Sequence, residues 1–244
     1  MKKIILLFFI LYSTVQLRSQ IRFDNGGILE SSATSTEFSV QGNVWNHRFI
    51  TYFFQNTTPD INPANDSRQA IRNAFTSWQN QTRLYFIEVC NAAQADIVIL
   101  FGAGNHGDNT PFAGVNGVLA HAFFPPPNGN FAGDMHFDED ETWTTAIRPF
   151  GTQPIDLETV ALHEIGHSLG LNHTNVTGAV MEAFYNGSHR NLEPDDIAGI
   201  QSIYGTNIDF INGPNNFIGS QLYSINETLS AGFTITYTAS SPCI

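Results

Sequence analysis

Residues 163 to 173 read HEIGHSLGLNH. His163 and His167 are four positions apart, which on a helix puts both imidazoles on one face, one turn apart. That spacing suits two of the four positions around a tetrahedral zinc ion. Glu164, beside the first histidine, can reach a water on such an ion without binding the metal, which is the place of a general base. The short pattern alone also describes a solvated helix face rich in histidine. The extension tells them apart. Gly170 can take the left-handed conformation that ends a helix, and the chain can then turn back to bring His173 to the same metal. Val160, Leu162, Ile165, Leu169 and Leu171 can pack this helix into a core. Met181, in GAVMEA, lies eight residues beyond His173, and we expect it in a Met-turn packed beneath the ion.

Such a site needs elements to hold it. FITYFF (49 to 54), LYFIEV (84 to 89) and ADIVILF (95 to 101) are rich in β-branched and aromatic residues and read as strands. The last is almost continuously apolar, as a buried central strand would be. Ala70, Ile71, Ala74, Phe75 and Trp78 recur at helical spacing, which predicts a helix over roughly residues 66 to 80. GVLAHAFF (117 to 124) and DMHFD (134 to 138) interrupt a loop-rich stretch. A second helix is expected over 156 to 170. A third opens at Glu193-Pro-Asp-Asp, where Pro194 suits the first helical position and the aspartates complement the helix dipole. The order of elements indicates an α+β fold with a mixed twisted sheet and three helices.

The ends read differently. MKKIILLFFILYSTVQLRSQ, residues 1 to 20, has two lysines, a short apolar run and a polar end, the layout of a signal peptide for secretion. Residues 21 to 44 are polar and weakly patterned, a leader or linker. Residues 45 to 205 form the domain. Residues 206 to 244 alternate in LYSIN and GFTITYTAS and read as a short β-rich accessory tail or an incomplete module. Two cysteines, Cys90 and Cys243, are too few for a disulfide framework but allow one bridge. With 42% apolar residues the chain is not of disordered composition. Its formal charge is −12, and no lysine remains once residues 1 to 20 are removed. That surface repels nucleic acid and anionic membranes, and no later segment is apolar enough for membrane insertion. It suits calcium, which takes oxygen ligands.

The motif HEIGHSLGLNH, the later Met181 and the closing LEPDDIAGIQSIYG resemble the catalytic domain of the matrixins, the matrix metalloproteinases, within the metzincin zinc endopeptidases. The resemblance extends through ITYFFQNTTPDI, ADIVILF, HGDNTPFAGVNGVLAHAF and GDMHFDEDETWT, and so covers roughly residues 45 to 205. It implies a second, structural zinc held by His106, Asp108, His121 and His136. Three histidines and a carboxylate close a tetrahedron and leave no position for substrate. It also implies a calcium site made by Asp138, Glu141 and carbonyls near Gly114, Asn116 and Val118. Ala113 stands where the family usually has aspartate, so weak binding is expected. Asp96 and Asp134 match a possible second calcium site, Asp96 through its carbonyl.

The activity implied is zinc-dependent hydrolysis of peptide bonds in extracellular proteins, by a monomer. His163, His167 and His173 hold the catalytic zinc, its fourth position keeps a water, and Glu164 is the base. A peptide substrate is expected to lie extended along 118 to 122, beside Leu119 and Ala120, with the specificity pocket between Val160 and the segment from Met181 to Leu192. Two departures stand out. The family's usual proline after the Met-turn is missing from MEAFYNGSH, and no cysteine lies between the signal peptide and residue 49, so a thiolate from there cannot restrain the enzyme. The rival classes are a non-catalytic, metal-stabilised binding or adhesion protein, which has no use for Glu164, and another protease family with the extended motif.

Overall fold

A computed structural model describes residues 21–24 and 38–207, together with the backbone of two strands in the tail. The expected signal peptide lies outside the described residues. In chain order the elements are β1 (Ser39–Val40), β2 (Phe49–Phe54), α1 (Ala64–Gln79), β3 (Tyr85–Glu88), β4 (Ile97–Gly102), β5 (Ala120–Ala122), β6 (Met135–Asp138), β7 (Trp143–Thr144), β8 (Ile155–Asp156), α2 (Leu157–Ser168), β9 (Leu171–Asn172), α3 (Pro194–Tyr204), β10 (Tyr223–Thr228) and β11 (Thr234–Ala239).

Five strands form the main sheet in the order β3-β2-β4-β6-β5. The first four run parallel and β5 pairs antiparallel with β6. The sheet is therefore mixed and the fold α+β. In β2 and β4 alternate residues are buried, including Ile50, Tyr52, Ile97 and Ile99. They meet α1 through Ile71, Phe75 and Trp78. The Trp78 indole N–H donates to the Leu162 carbonyl at 2.9 Å and so pins α1 to α2. Nearly every residue of α2 is buried, which is why its apolar pattern is continuous rather than one-sided.

Asp156 caps α2, its side chain accepting from the Glu158 N–H. The helix stops at Gly170, whose φ of 102° is left-handed. A side chain there would also strike the Asn43 carbonyl, its Cβ falling 2.6 Å from that oxygen. The turn that returns His173 to the helix thus depends on glycine twice over.

Cys90, just beyond β3, is disulfide-bonded. The other cysteine of the sequence, Cys243, lies outside the described residues. In the tail, β10 and β11 pair as an antiparallel hairpin.

Two buried clusters of metal-ligating side chains

His163 and His167 project from α2, and His173 follows the Gly170 turn. The Nδ1 atom of His163 lies 2.7 Å from the Val180 carbonyl, and that of His167 lies 2.7 Å from the Leu171 carbonyl. A carbonyl only accepts, so each Nδ1 carries the proton and each Nε2 offers a lone pair. Those Nε2 atoms converge. His167 to His163 is 3.1 Å and His163 to His173 is 3.3 Å. Zinc–nitrogen bonds of about 2.0–2.1 Å in a tetrahedron put ligand atoms roughly 3.3 Å apart, so the three nitrogens fit a zinc ion. Burial, with the neighbouring His167 and His173, holds His163 well below its ordinary pKa, and a neutral ring is what a metal requires.

A carboxylate stands beside the three nitrogens. Asp24 completes the group with His163, His167 and His173. Its Oδ1 lies 2.7 Å from His173 Nε2 and its Oδ2 lies 3.1 Å from His167 Nε2. Burial pushes the Asp24 carboxyl up, but His167 and His173 outweigh it and hold it well below the usual carboxylate range. The start of the stretch expected to be leader or linker is packed against the domain. Ile21, Phe23 and Asp24 are buried, and Ser39–Val40 pairs with β9. No spacing rule marks Asp24. It is a lone carboxylate 139 positions before His163, placed by tertiary contacts alone.

Those contacts run along both walls of a cleft. Arg22 bridges Val118 in the parallel sense and Phe184 in the antiparallel sense. The N–H groups of Leu119 and Ala120 donate to the Phe23 carbonyl at 3.0 and 3.1 Å. On the other wall the Phe23 N–H donates to the Ala183 carbonyl at 3.2 Å, and the Tyr185 N–H to the Ile21 carbonyl at 3.0 Å. Leu119 and Ala120, the strand expected to take substrate, are therefore engaged by residues 21 to 23. The Phe23 ring stacks on the His163 imidazole, centroids 4.2 Å apart and planes 7° from parallel. A cavity of about 240 Å³ opens beside it, lined by Thr159, Thr177, Val180, Phe184 and His189 among others. Val160, expected near the pocket, is fully buried in α2.

Glu164 is fully buried, and neither carboxylate oxygen has a hydrogen-bond partner. Burial, and then the charge of Asp24, push its pKa well up. A buried polar group without a partner is rare and asks for an explanation.

Met181 lies under α2, its sulfur against Gly166 so closely that a Cβ there would collide with it. Asp196, at the start of α3, accepts from the Val180 and Met181 N–H groups at 2.9 and 3.1 Å. The Val180 carbonyl in turn holds His163. The sequence marks Asp196 only as a charge at a helix N-terminus; its grip on the methionine turn emerges from the fold. Arg190 ties the pocket wall to the start of α2, donating to both Asp156 oxygens at 2.9 and 2.7 Å.

The second cluster joins His106, Asp108, His121 and His136. Asp108 Oδ2 lies 2.9, 2.6 and 2.6 Å from His106 Nε2, His121 Nε2 and His136 Nδ1. His106 to His121 is 3.4 Å and His121 to His136 is 3.3 Å, again the edges of a ligand tetrahedron. Burial lowers His121 and takes His136 to about 4. Burial also raises Asp108, but the Thr110 N–H with His121 and His136 outweighs it and leaves that carboxyl well below its ordinary value. All four atoms of this group come from protein side chains.

Asp138 and Glu141 are both buried, and one oxygen of each, Oδ2 and Oε1, has no hydrogen-bond partner. Glu141 accepts from the backbone of Asn116 and Gly117, so the fold brings it to the Gly114–Val118 loop; burial pushes it up to about 7. Burial raises Asp138 too. Carboxylate oxygens of this kind are the ligands a hard cation takes. The other two expected calcium residues make hydrogen bonds through their side chains. Asp96 Oδ2 accepts from the Thr51 N–H and hydroxyl, each at 2.8 Å. Asp134 Oδ1 accepts from the Val98 N–H at 2.7 Å. Neither belongs to the two histidine clusters found among the described residues.

Comparison with known proteins agrees with this geometry. The Matrixin family, Peptidase M10, matches residues 44–205. Karilysin of Tannerella forsythia is 41% identical over 248 residues, covering 100% of this chain and 50% of karilysin. Matrix metalloproteinase-16 of Homo sapiens is 44% identical over 177 residues, covering 69% of this chain and 28% of that protein. Interstitial collagenase of Equus caballus is 48% identical over 163 residues, covering 66% and 33%. The chain thus spans half or less of the length of these relatives.

Proposed function

The chain belongs to the matrixin family, and on that premise we propose that it is a secreted zinc-dependent endopeptidase acting on extracellular proteins. The carrying observation is the juxtaposition of three converging Nε2 lone pairs with a buried, unpartnered carboxylate on the same helix. A metal-stabilised binding protein gives no reason to bury Glu164 in that state.

His163, His167 and His173 would hold the ion. Zinc supplies a Lewis acid that polarises a carbonyl and makes water nucleophilic near neutral pH. Glu164 takes the proton of the attacking water on a carboxylate oxygen and returns it to the leaving amine. The Leu119 and Ala120 N–H groups bind backbone carbonyls of an extended peptide, and Ala183 and Tyr185 complete the opposite wall. Met181 supports the ligand helix from below, and Asp196 fixes the turn that carries it.

His106, Asp108, His121 and His136 hold a second zinc in a structural role. It ties the loop carrying His106 to β5 and β6, and β5 continues the segment expected to take substrate. Asp138 and Glu141 bind calcium, weakly because Ala113 supplies no carboxylate. No helix among the described residues is long and apolar enough to cross a membrane. We read the chain as a monomer delivered by its N-terminal signal.

The test is a metal titration of the purified chain after limited trimming of its N-terminus. Casein cleavage that is lost with a strong chelator and restored by zinc supports the reading. Cleavage indifferent to chelation would dismiss it.

A further inference from the structure

We propose that Phe184 is a specificity-determining residue. With Glu182 beside it, it selects peptides that carry arginine or lysine two residues from the bond that is cut. The inference rests on the peptidase reading above and names a substrate class for the same cleft.

The wall that carries Phe184 has two faces. Glu182, Phe184 and Asn186 alternate with Ala183 and Tyr185. Successive side chains of an extended segment point to opposite sides, so the first three share one face. All three line the cavity of about 240 Å³, whereas Tyr185 is buried. A bound peptide therefore meets a carboxylate, an aromatic ring and an amide. Glu182 is held at this wall by its Oε2, which accepts from the Gly178 N–H at 3.2 Å.

The chain's own residues show what that face accepts. The Phe23 N–H donates to the Ala183 carbonyl at 3.2 Å, and the Tyr185 N–H donates to the Ile21 carbonyl at 3.0 Å. Arg22, between them, is the antiparallel bridge partner of Phe184. Residues opposite each other in such a bridge bring their side chains into reach. The Arg22 guanidinium lies over the Phe184 ring, 5.4 Å from its centroid. At that distance the negative face of the ring attracts a cation. Arg22 is an exposed residue, so its side chain could extend into water and lies on the ring instead.

The position follows from the same contacts. Asp24 stands at the ligand histidines, Phe23 stacks on His163, and Arg22 comes next. A peptide whose scissile bond lies at the metal thus brings its second residue from that bond to Phe184. The formal charge of −12 draws basic peptides to the whole surface. The ring adds a preference at one place, and this separates the two effects.

The experiment uses the full chain loaded with zinc. Peptides are built on a sequence that the enzyme cleaves, with arginine or its neutral isostere citrulline two residues from the cut, on either side in turn. The two forms compete in one mixture, so their ratio of kcat/KM is independent of how much enzyme has an open cleft. On one side arginine should be favoured about two- to fivefold, the range of an exposed cation–π contact. Phe184→Leu should abolish that preference, and Glu182→Gln should reduce it. Phe184→Trp should keep or raise it, since indole is the best partner for a cation, and it serves alone if the leucine variant does not fold. No preference in the unaltered chain, one that survives Phe184→Leu, or one that falls in Phe184→Trp would overturn the proposal. So would an equal preference on both sides of the cut, which the overall charge alone explains. Failure of every form to cleave any peptide would instead remove the peptidase reading, and this inference with it.

Discussion

Arg190→Ala should cost this domain more stability than any ordinary surface change. Asp156 is fully buried, and Arg190 donates to both of its oxygens at 2.9 and 2.7 Å. The same guanidinium reaches the Thr145 carbonyl at 2.7 Å. Removing one partner of a buried pair costs about 3–5 kcal/mol, because a desolvated charge is left behind. Asp156 would retain the Glu158 N–H and the Thr159 hydroxyl, so we take the lower end, about 3 kcal/mol. For a protein of this size each kcal/mol lowers Tm by about 2–4 °C, which gives a fall of about 6–12 °C. Calorimetry with zinc and calcium present measures it. Arg190→Lys should recover only part, since an ammonium cannot match both oxygens at once. The same loss should loosen the pocket wall, because the His189 N–H is held by Thr159, which itself donates to Asp156. A fall in Tm below about 2 °C would refute the reasoning, since it would mean that the pair contributes no more than a surface ion pair.

Gly166→Ala should destabilise the chain by about 1–3 kcal/mol, although alanine is the better helix former, because the Met181 sulfur fills the space; denaturant unfolding decides, and a stabilised variant would contradict the packing. Elemental analysis should find two zinc ions per chain, one resistant to mild chelation, and His121→Ala should remove that resistant ion; a single zinc in both proteins would end the structural-site assignment. In chelator the pH dependence has a definite sign. Glu141 has its folded pKa raised to about 7, so the folded state holds the extra proton between about 4.3 and about 7, and stability should fall as pH rises through that window. Glu141→Gln should flatten that slope, calcium should raise Tm near pH 7, and Ala113→Asp should enlarge the calcium effect; a Tm indifferent to calcium and to pH would remove Asp138 and Glu141 as ligands.

Much of the fold and of both histidine clusters was legible in the sequence, and the reason is physical. His163, Glu164 and His167 share one helix, so a spacing rule suffices, and Gly170 announces the turn that returns His173. The strands could be read because β2 and β4 are short, apolar and rich in β-branched residues. Their bounds moved by a residue or two, as in α1, which begins at Ala64 rather than Asp66. What escaped were contacts across the fold that neither a spacing rule nor the family resemblance marks. Asp24 reaches the ligand cluster because both cleft walls hold Ile21–Phe23, and nothing in IRFD signals that. Asp196 could be read as a charge at a helix start, yet it also fixes the methionine turn. Arg190 sits in a loop with no periodicity, and only the burial of Asp156 gives it meaning. The absent cysteine raises the question of restraint, which no pattern in the sequence answers.

The most direct test of the central claim is the turnover of Glu164→Gln. The variant keeps the shape of the side chain and all seven histidine and aspartate ligands proposed for the two zinc ions, apart from Asp24. Both proteins are trimmed of the leader, checked for two zinc ions and assayed on casein. General-base catalysis by Glu164 predicts unchanged zinc content and melting behaviour with a loss of at least about 100-fold in kcat. Turnover like that of the unaltered enzyme, at full zinc content, would contradict it.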